Sequence, residues 1–457
     1  MSAQGGGPNG GGGIAGSSQG GGTGGTPVGG GGGGGGGATM VANCTFTQTA
    51  TTSSKIASVG IVEWSATGLA SVQQAQIDFG LTTSYGMTAP VDLAAAKYRT
   101  LLLGMKYAKT YHYRITASGG GATCTSPDYT IQTGAAPNGL QKPKVTTSNA
   151  AALFGGFLIT GQYAQNAGAT GSPAYILDAD GEVVWNFSIG RDVTGVRMSF
   201  DGKYMWINSA NVPENQGANV HRVSMDGLTD ENLTSQFTGQ NHQLTVLPDE
   251  TIAFYAYSSN GCDDIKERSP SGTVKTIINA QTAQRASGAC HVNNIQYFKE
   301  DDSLVFSDLD HNAITKVKRN GTVVWVLGGS TSNFTGDGAS WQKQHGIHLL
   351  ALDRLLFFNN GSGGLGGASL AVEMKLDLTA KTSTKVWSYA SSPGISNAVM
   401  GDVQRLSNGN SIVGYSTQGV LHEVDAQSKL LQELAWPAGA SFGYIEKRKT
   451  LYGPPPR

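Results

Sequence analysis

The chain has 457 residues, too many for one ordinary core, so two domains or a large repeat array is expected. Its formal net charge is −1, with 14% charged residues and no Lys/Arg cluster, which argues against a nucleic-acid or anionic-membrane partner. No stretch approaches the ~18 apolar residues of a membrane-spanning helix.

Residues 1–40 hold most of the glycine excess. Of the 66 glycines, 22 lie within residues 1–37, in runs such as Gly29 to Gly37, with almost nothing apolar to bury. Such a segment reads as a flexible linker and is expected to carry no regular structure. A Gly/Ser tail of this kind is what remains when a signal sequence is trimmed from an exported, tethered protein. Low charge, abundant Ser/Thr and an even cysteine count agree with an oxidising compartment. Export is therefore expected, to the periplasm, cell surface or medium. The four cysteines pair locally as Cys44 with Cys124 and Cys262 with Cys290, neither pair having the spacing of a zinc knuckle.

Residues 41–134 alternate in short runs with period two, as in 57–64, 75–80 and 110–115, which predicts a small β-sandwich. Leu103-Gly104-Met105 followed by Thr110-Tyr111-His112-Tyr113 resembles the corner and penultimate strand of fibronectin type III-like domains. Such domains are commonly spacers. Pro137-Asn138-Gly139 then marks a boundary.

From 145 to 457 a different regularity sets in. A strand, a turn and Val-Val-Trp recur at 176–185 and 317–325, with looser copies ending at Trp387 and Trp436, and a second hairpin lies between successive copies. Four-strand units every 45 to 55 residues are the pattern of propeller blades. The expected fold is all-β: a six-bladed β-propeller behind the sandwich, with 157–160 completing the last blade. The tryptophans, recurring with the blades, are expected to pack between sheets.

A histidine opens the first strand of three units: His242 in Asn-His-Gln-Leu, His291 in Cys-His-Val-Asn-Asn and His345 in Gln-His-Gly-Ile-His, at spacings of 49 and 54 residues. Repeats that each place an imidazole at one point can build one shared site. Counting back from the turns puts Thr194 and Gly401 at the equivalent places of two other units. Strand alternation predicts that Asn293 faces the same way as His291 and that His348 faces away from His345. His112, His221 and His422 fall outside this register and are expected to be structural or solvated.

The phrases at 180–185 (DGEVVW), 291–297 (HVNNIQY), 320–329 (NGTVVWVLGG), 344–350 (QHGIHLL), 357–363 (FFNNGSG) and 404–415 (QRLSNGNSIVGY) resemble the bacterial arylsulfotransferase family over nearly all of residues 150–457. The resemblance implies a six-bladed propeller behind a small β domain, moving a sulfuryl group from a phenolic sulfate to a phenol through a transient sulfohistidine, without a nucleotide donor or cofactor. It implies His345 as nucleophile, His242 and His291 as donors to the sulfate and phenolic oxygens, and Asn293 as a further donor. Small phenolic donors and acceptors would be its partners. The family's arginine, in a Ser-Ser-Arg phrase, is replaced here by Leu309 within Ser307-Asp308-Leu309-Asp310-His311. Asp308, His311, Arg197 and Thr194 are then candidate substrate contacts, with His311 or Arg197 standing in for the lost guanidinium.

That loss opens two other readings. His242, His291 and His345 could hold zinc or another divalent ion, making a metal-dependent lyase or hydrolase. Alternatively, sandwich and propeller could form a non-catalytic extracellular binding module.

Overall fold

The computed structural model describes residues 40–41, 43–163, 171–209, 217–337, 341–361 and 367–454. The glycine-rich segment expected to be a linker lies outside them up to residue 39. Everything considered below belongs to one compact unit, 41–457.

The structure is all-β, built of sheets that are antiparallel but for the short parallel pairing of Thr335–Gly336 with Thr382 and Ser383, with a single short helix of more than one turn, Ala280–Gln284, among the described residues. Two sheets come first. Thr45–Thr52, Gly60–Thr67 and Thr100–Leu102 form one, and Gln74–Gly80, Met87–Pro90, Thr110–Gly119, Ala122–Thr125 and Tyr129–Gln132 belong to the other. Both bury alternate residues against a common core that includes Val62, Trp64, Ile77, Phe79, Tyr113 and Ile115, as strict period-two patterning requires. The Tyr111 hydroxyl accepts a hydrogen bond from the Lys106 amide, pinning the corner that precedes its strand. Cys44–Cys124 closes this region.

Six further sheets of four or five strands follow among the described residues. Their turns share a local cause. An Asp or Asn side chain accepts the amide two residues on, as Asp178, Asp201, Asp249, Asn320, Asp377, Asn408 and Asp425 do, so each tight reversal is written into a single residue. Six apolar clusters lie between neighbouring sheets. One joins the Trp185 sheet to the sheet of Val193–Met198, the next join each sheet to its successor, and the last carries the Trp436 sheet back to the first. Trp185 and Trp325 are fully buried in these seams, so a Trp→Ala change there would cost about 3–5 kcal/mol.

The ring is closed from both ends of the chain. Phe157–Tyr163 does not complete the last sheet as expected. It is an interior strand of the first, paired with Ala174–Leu177 on one side and with Ser441–Phe442 and Glu446–Arg448 on the other. The last sheet is instead extended by Lys144–Thr147, paired with Leu430–Ala435. Gln404 exchanges hydrogen bonds with the Lys447 backbone in both directions, joining the sixth sheet's first strand to the C-terminal strand of the first.

The first two sheets are no detached spacer. Ile56, Val59 and Leu103 enter the core of the first seam. Ser53 and Ser58 donate to the carbonyls of Asp226 and Val184, Arg99 pairs with Asp226 at 2.7 Å, and Lys106 reaches Asp178 and Asp180.

Candidate active site

The strands that line the centre of the ring are Val193–Met198, Gln240–Val246, Val292–Phe298, Gln344–Ala351, Asp402–Arg405 and the C-terminal 441–448. Four of them bulge at one level. Pairing with the second strand skips at Thr194, between Gln240 and Leu244, at Asn293, and between His345 and His348. A bulge inserts a residue and re-aims a side chain, so this level departs from strict alternation. His242, in the second bulge, has φ +47°, a left-handed conformation that costs a non-glycine residue about 1–2 kcal/mol. Gly346, in the fourth, has φ +53°, and a Cβ there would lie 2.5 Å from the Asp402 Cα.

These bulges bring His242 and His291 together. Their Nε2 atoms are 3.3 Å apart and their rings meet edge to face, centroids 4.9 Å apart. His345 is almost fully buried, close enough to His291 for that ring to disfavour its charge. Burial first, and then His291, push the His345 pKa down to about 4. The His242 imidazole is pushed well below its ordinary value by burial, then by His291 and His345. Both rings are therefore neutral at neutral pH. No guanidinium or ammonium is among the charges that shift them.

The tautomer of His345 follows from its neighbours. The Asn360 Nδ2 donates to the carbonyls of Asn397 and Met400, both at 2.7 Å, which turns Asn360 Oδ1 toward His345 Nδ1 at 2.7 Å. The Lys343 carbonyl faces the same nitrogen at 3.2 Å. Two acceptors at Nδ1 require a proton there, so Nε2 carries the lone pair. Asn241 Oδ1 similarly meets His242 Nδ1, which leaves His242 Nε2 to accept from His291 Nε2–H. Asn360 and Asn241 escaped the sequence reading, although both sit inside motifs it singled out.

Other expected site residues have different employment. Asn293 is fully buried and its Nδ2 donates to the Gln344 carbonyl, tying its strand to the residue before His345; its Oδ1 has no partner. Its place in a bulge removes the alternation that was to align it with His291. Thr194 Oγ1 lies 3.4 Å from the His242 carbonyl, which Asn208 Nδ2 also meets. Asp308 is fully buried and accepts the His291 amide at 3.0 Å. Its other oxygen takes His311 Nδ1 at 2.7 Å, and His311 Nε2 lies 3.2 Å from the Ser287 carbonyl. Burial opposes charge on His311, but Asp308 outweighs it and raises the pKa. With both ring nitrogens engaged, His311 does not take the absent guanidinium's place. Cys262–Cys290 staples the segment just before His291.

Arg197 does not take it either. It sits deeper along the channel with Asp402 at 3.9 Å, and its charge acts on His348. The bulge at Gly346 also corrects the expected facing of His348. His345 and His348 pair with Phe358 and Leu356, two residues apart, so both lie on one face of the sheet and differ in depth. His112, His221 and His422 hold Asp128, Asp230 and the Tyr389–Glu433 pair, away from the site.

Metal fits this constellation poorly. Among the described residues, the His, Cys, Asp and Glu side chains whose ligand atoms lie within 4.8 Å of one another as a set of three are Cys290, Asp308 and His311, not the three histidines. Cys290 is bonded to Cys262.

The sequence pattern described as Arylsulfotransferase (ASST) matches residues 171–436, a span that begins at the first sheet and contains all three histidines. The chain belongs to the arylsulfotransferase family. No curated protein matches it in sequence. Solved structures similar to it include TolB from Acinetobacter baumannii, at 12% identity over 75% of this chain and 81% of TolB with a TM-score of 0.41. A protein of unknown function from Bacteroides caccae is similar at 15% identity over 64% of this chain and 98% of its own, TM-score 0.42. The WD40 β-propeller domain of Doa1 is similar at 9% identity over 66% and 88%, TM-score 0.40.

Proposed function

We propose that this arylsulfotransferase family member moves a sulfuryl group from a phenolic sulfate ester to a phenol at the three-histidine level of a six-bladed propeller. The propeller would span 145–457, behind a fibronectin type III-like sandwich at 41–134, in an exported protein stabilised by its two disulfides. The observation that carries the reading is the Asn360 contact, which holds His345 as a neutral imidazole with its Nε2 lone pair free.

His345 Nε2 attacks the sulfur of the donor; the N–S bond forms as the S–O bond to the aryl group breaks. The departing phenolate oxygen takes the Nε2 proton of His291 acting as an imidazolium, which is left as the neutral ring; before the step that N–H points to His242 Nε2. The acceptor phenol then attacks the sulfohistidine, giving its proton back to the same imidazole as the N–S bond breaks. Without the family's arginine, and with the Nδ1–H groups of His345 and His242 engaged by Asn360 and Asn241, the three imidazoles offer the sulfate oxygens few donors, so affinity for the donor ester is expected to be weak. Asp308 keeps His291 in place through its backbone, and Asn293 does the same for the His345 strand. The non-convergent ligand atoms weigh against the zinc reading.

The test is release of a chromogenic phenol from its sulfate ester in the presence of a second phenol, together with mass detection of one sulfuryl group on His345 when the acceptor is omitted. Turnover that survives His345→Ala removes the mechanism, and no turnover with any aryl sulfate donor favours a binding protein.

A further inference from the structure

Tyr444 divides the channel. Its amide donates to the Thr194 carbonyl at 2.8 Å and its carbonyl accepts from Thr160 Oγ1 at 2.9 Å, so its backbone belongs with the sheets of Phe157–Tyr163 and Val193–Met198, the first two of the six. Its hydroxyl nevertheless donates to the Asn293 carbonyl on the fourth, and the side chain is fully buried. The side chain thus reaches from the C-terminal strand to the bulge at Asn293. On its far side lies a cavity of about 690 Å³ whose walls begin only at Arg197, Gln243, Asn294, Ile347 and Asp402 and contain none of the three histidines.

The cavity is amphiphilic. Phe154, Phe200, Tyr297, Phe298, Leu349 and Leu406 form its apolar part. At its inner end Arg197 uses one Nη to reach the carbonyls of Val196 and Ile445, and its other stands 3.9 Å from Asp402, too far for a hydrogen bond. The Asp402 carboxylate is already occupied by the amides of Val403 and Ile445. Arg405, paired with Glu373 at 2.6 Å, flanks the cavity, and His348 Nδ1 is buried without a partner. Lys299, Lys447, Glu300 and Glu446 stand elsewhere on the wall, Lys447 paired with Glu423 at 3.0 Å and Glu446 accepting the Met198 amide. An unsatisfied guanidinium edge and an unpartnered imidazole at the closed end of an apolar chamber suit one kind of guest.

We propose that this cavity is a ligand site separate from the histidine cluster, and that it binds an amphiphilic anion whose sulfonate, sulfate or carboxylate head meets Arg197 and His348 while its aryl or alkyl body lies against Tyr297, Phe298 and Leu349. Burial, then Arg197 and Arg405, hold the His348 pKa down to about 4, so the ring enters as a neutral donor with Arg197 supplying the charge.

Calorimetric titration of the full chain with naphthalene-2-sulfonate tests this, because its carbon–sulfur bond cannot donate a sulfuryl group. Binding at the chamber is expected, with His345→Ala within twofold of wild type and His348→Leu or Arg197→Gln weaker by about tenfold or more, the scale of a lost charge-assisted hydrogen bond. Thr245→Trp fills the chamber without touching Arg197 and is expected to abolish binding, which keeps the test valid if Arg197→Gln does not fold. Naphthylmethylammonium is expected not to bind. The proposal is overturned if wild type fails to bind the sulfonate, if the ammonium binds as well, if Thr245→Trp binds like wild type, or if His345→Ala removes binding.

Discussion

The two faces of Tyr444 show how one channel can hold two chemistries. On one side, no guanidinium or ammonium is among the charges that shift His242 and His345, and burial keeps both neutral. On the other, His348 is also driven neutral, but chiefly by burial with two guanidiniums behind it. The upper level owes its character to carboxamides that fix tautomers, the lower to guanidiniums set beside an imidazole whose Nδ1 has no hydrogen-bond partner. Being a histidine in this channel therefore specifies little until the second contact of each ring is known.

The largest effect that separates the levels is expected from His345→Ala, which should lower sulfuryl transfer by about 10³-fold or more, the range of a lost nucleophile or base. Steady-state release of phenol measures it. Next comes Asn360→Ala, which leaves His345 in place but frees its Nδ1 to lose the proton. A fall in kcat of about 10²-fold is expected with KM little changed, as for a group that orients an imidazole. An equal loss through KM would make Asn360 a substrate contact instead.

Gly346→Ala probes the backbone between the levels. Its φ of +53° and the Asp402 backbone at 2.5 Å from a new Cβ should cost about 2 kcal/mol or more, read as a lower urea midpoint. The smallest expected effect is on pH dependence. His348 is held at about 4 when folded and rises to its ordinary value when unfolded, so the unfolded chain binds more protons in between. Its contribution to stability is complete above about 6.5 and is lost as pH falls toward 4. The stability of wild type relative to His348→Leu should therefore decline over that window. Asp402, raised by burial to about 6, acts in the opposite direction in both proteins and cancels in the comparison. A difference that is flat with pH would mean that His348 is solvated.

Much of this was legible along the chain. The apolar alternation and Asp/Asn turns mark the hairpins because each is a local property of a few residues. Both disulfides join the cysteines expected to pair. The recurrence of His242, His291 and His345 pointed to one site, and two of the rings touch. Period-two counting failed where it was applied to His348, because the bulge after His345 shifts the facing of the residues that follow it. The role expected of Arg197 at the histidines failed for a related reason: position in a repeat says which strand a residue occupies, not its depth along the channel.

Residue order by itself determined the β character of the chain, its repeat length, its turns and the three imidazoles, since each follows from side-chain type at short range. Only the tertiary structure decided which nitrogen of His345 is free, that Asp308 and His311 satisfy each other, and that Tyr444 parts the channel. Those outcomes depend on groups such as Tyr444 and Asn293, 151 residues apart, that meet only when the two ends of the chain close the ring.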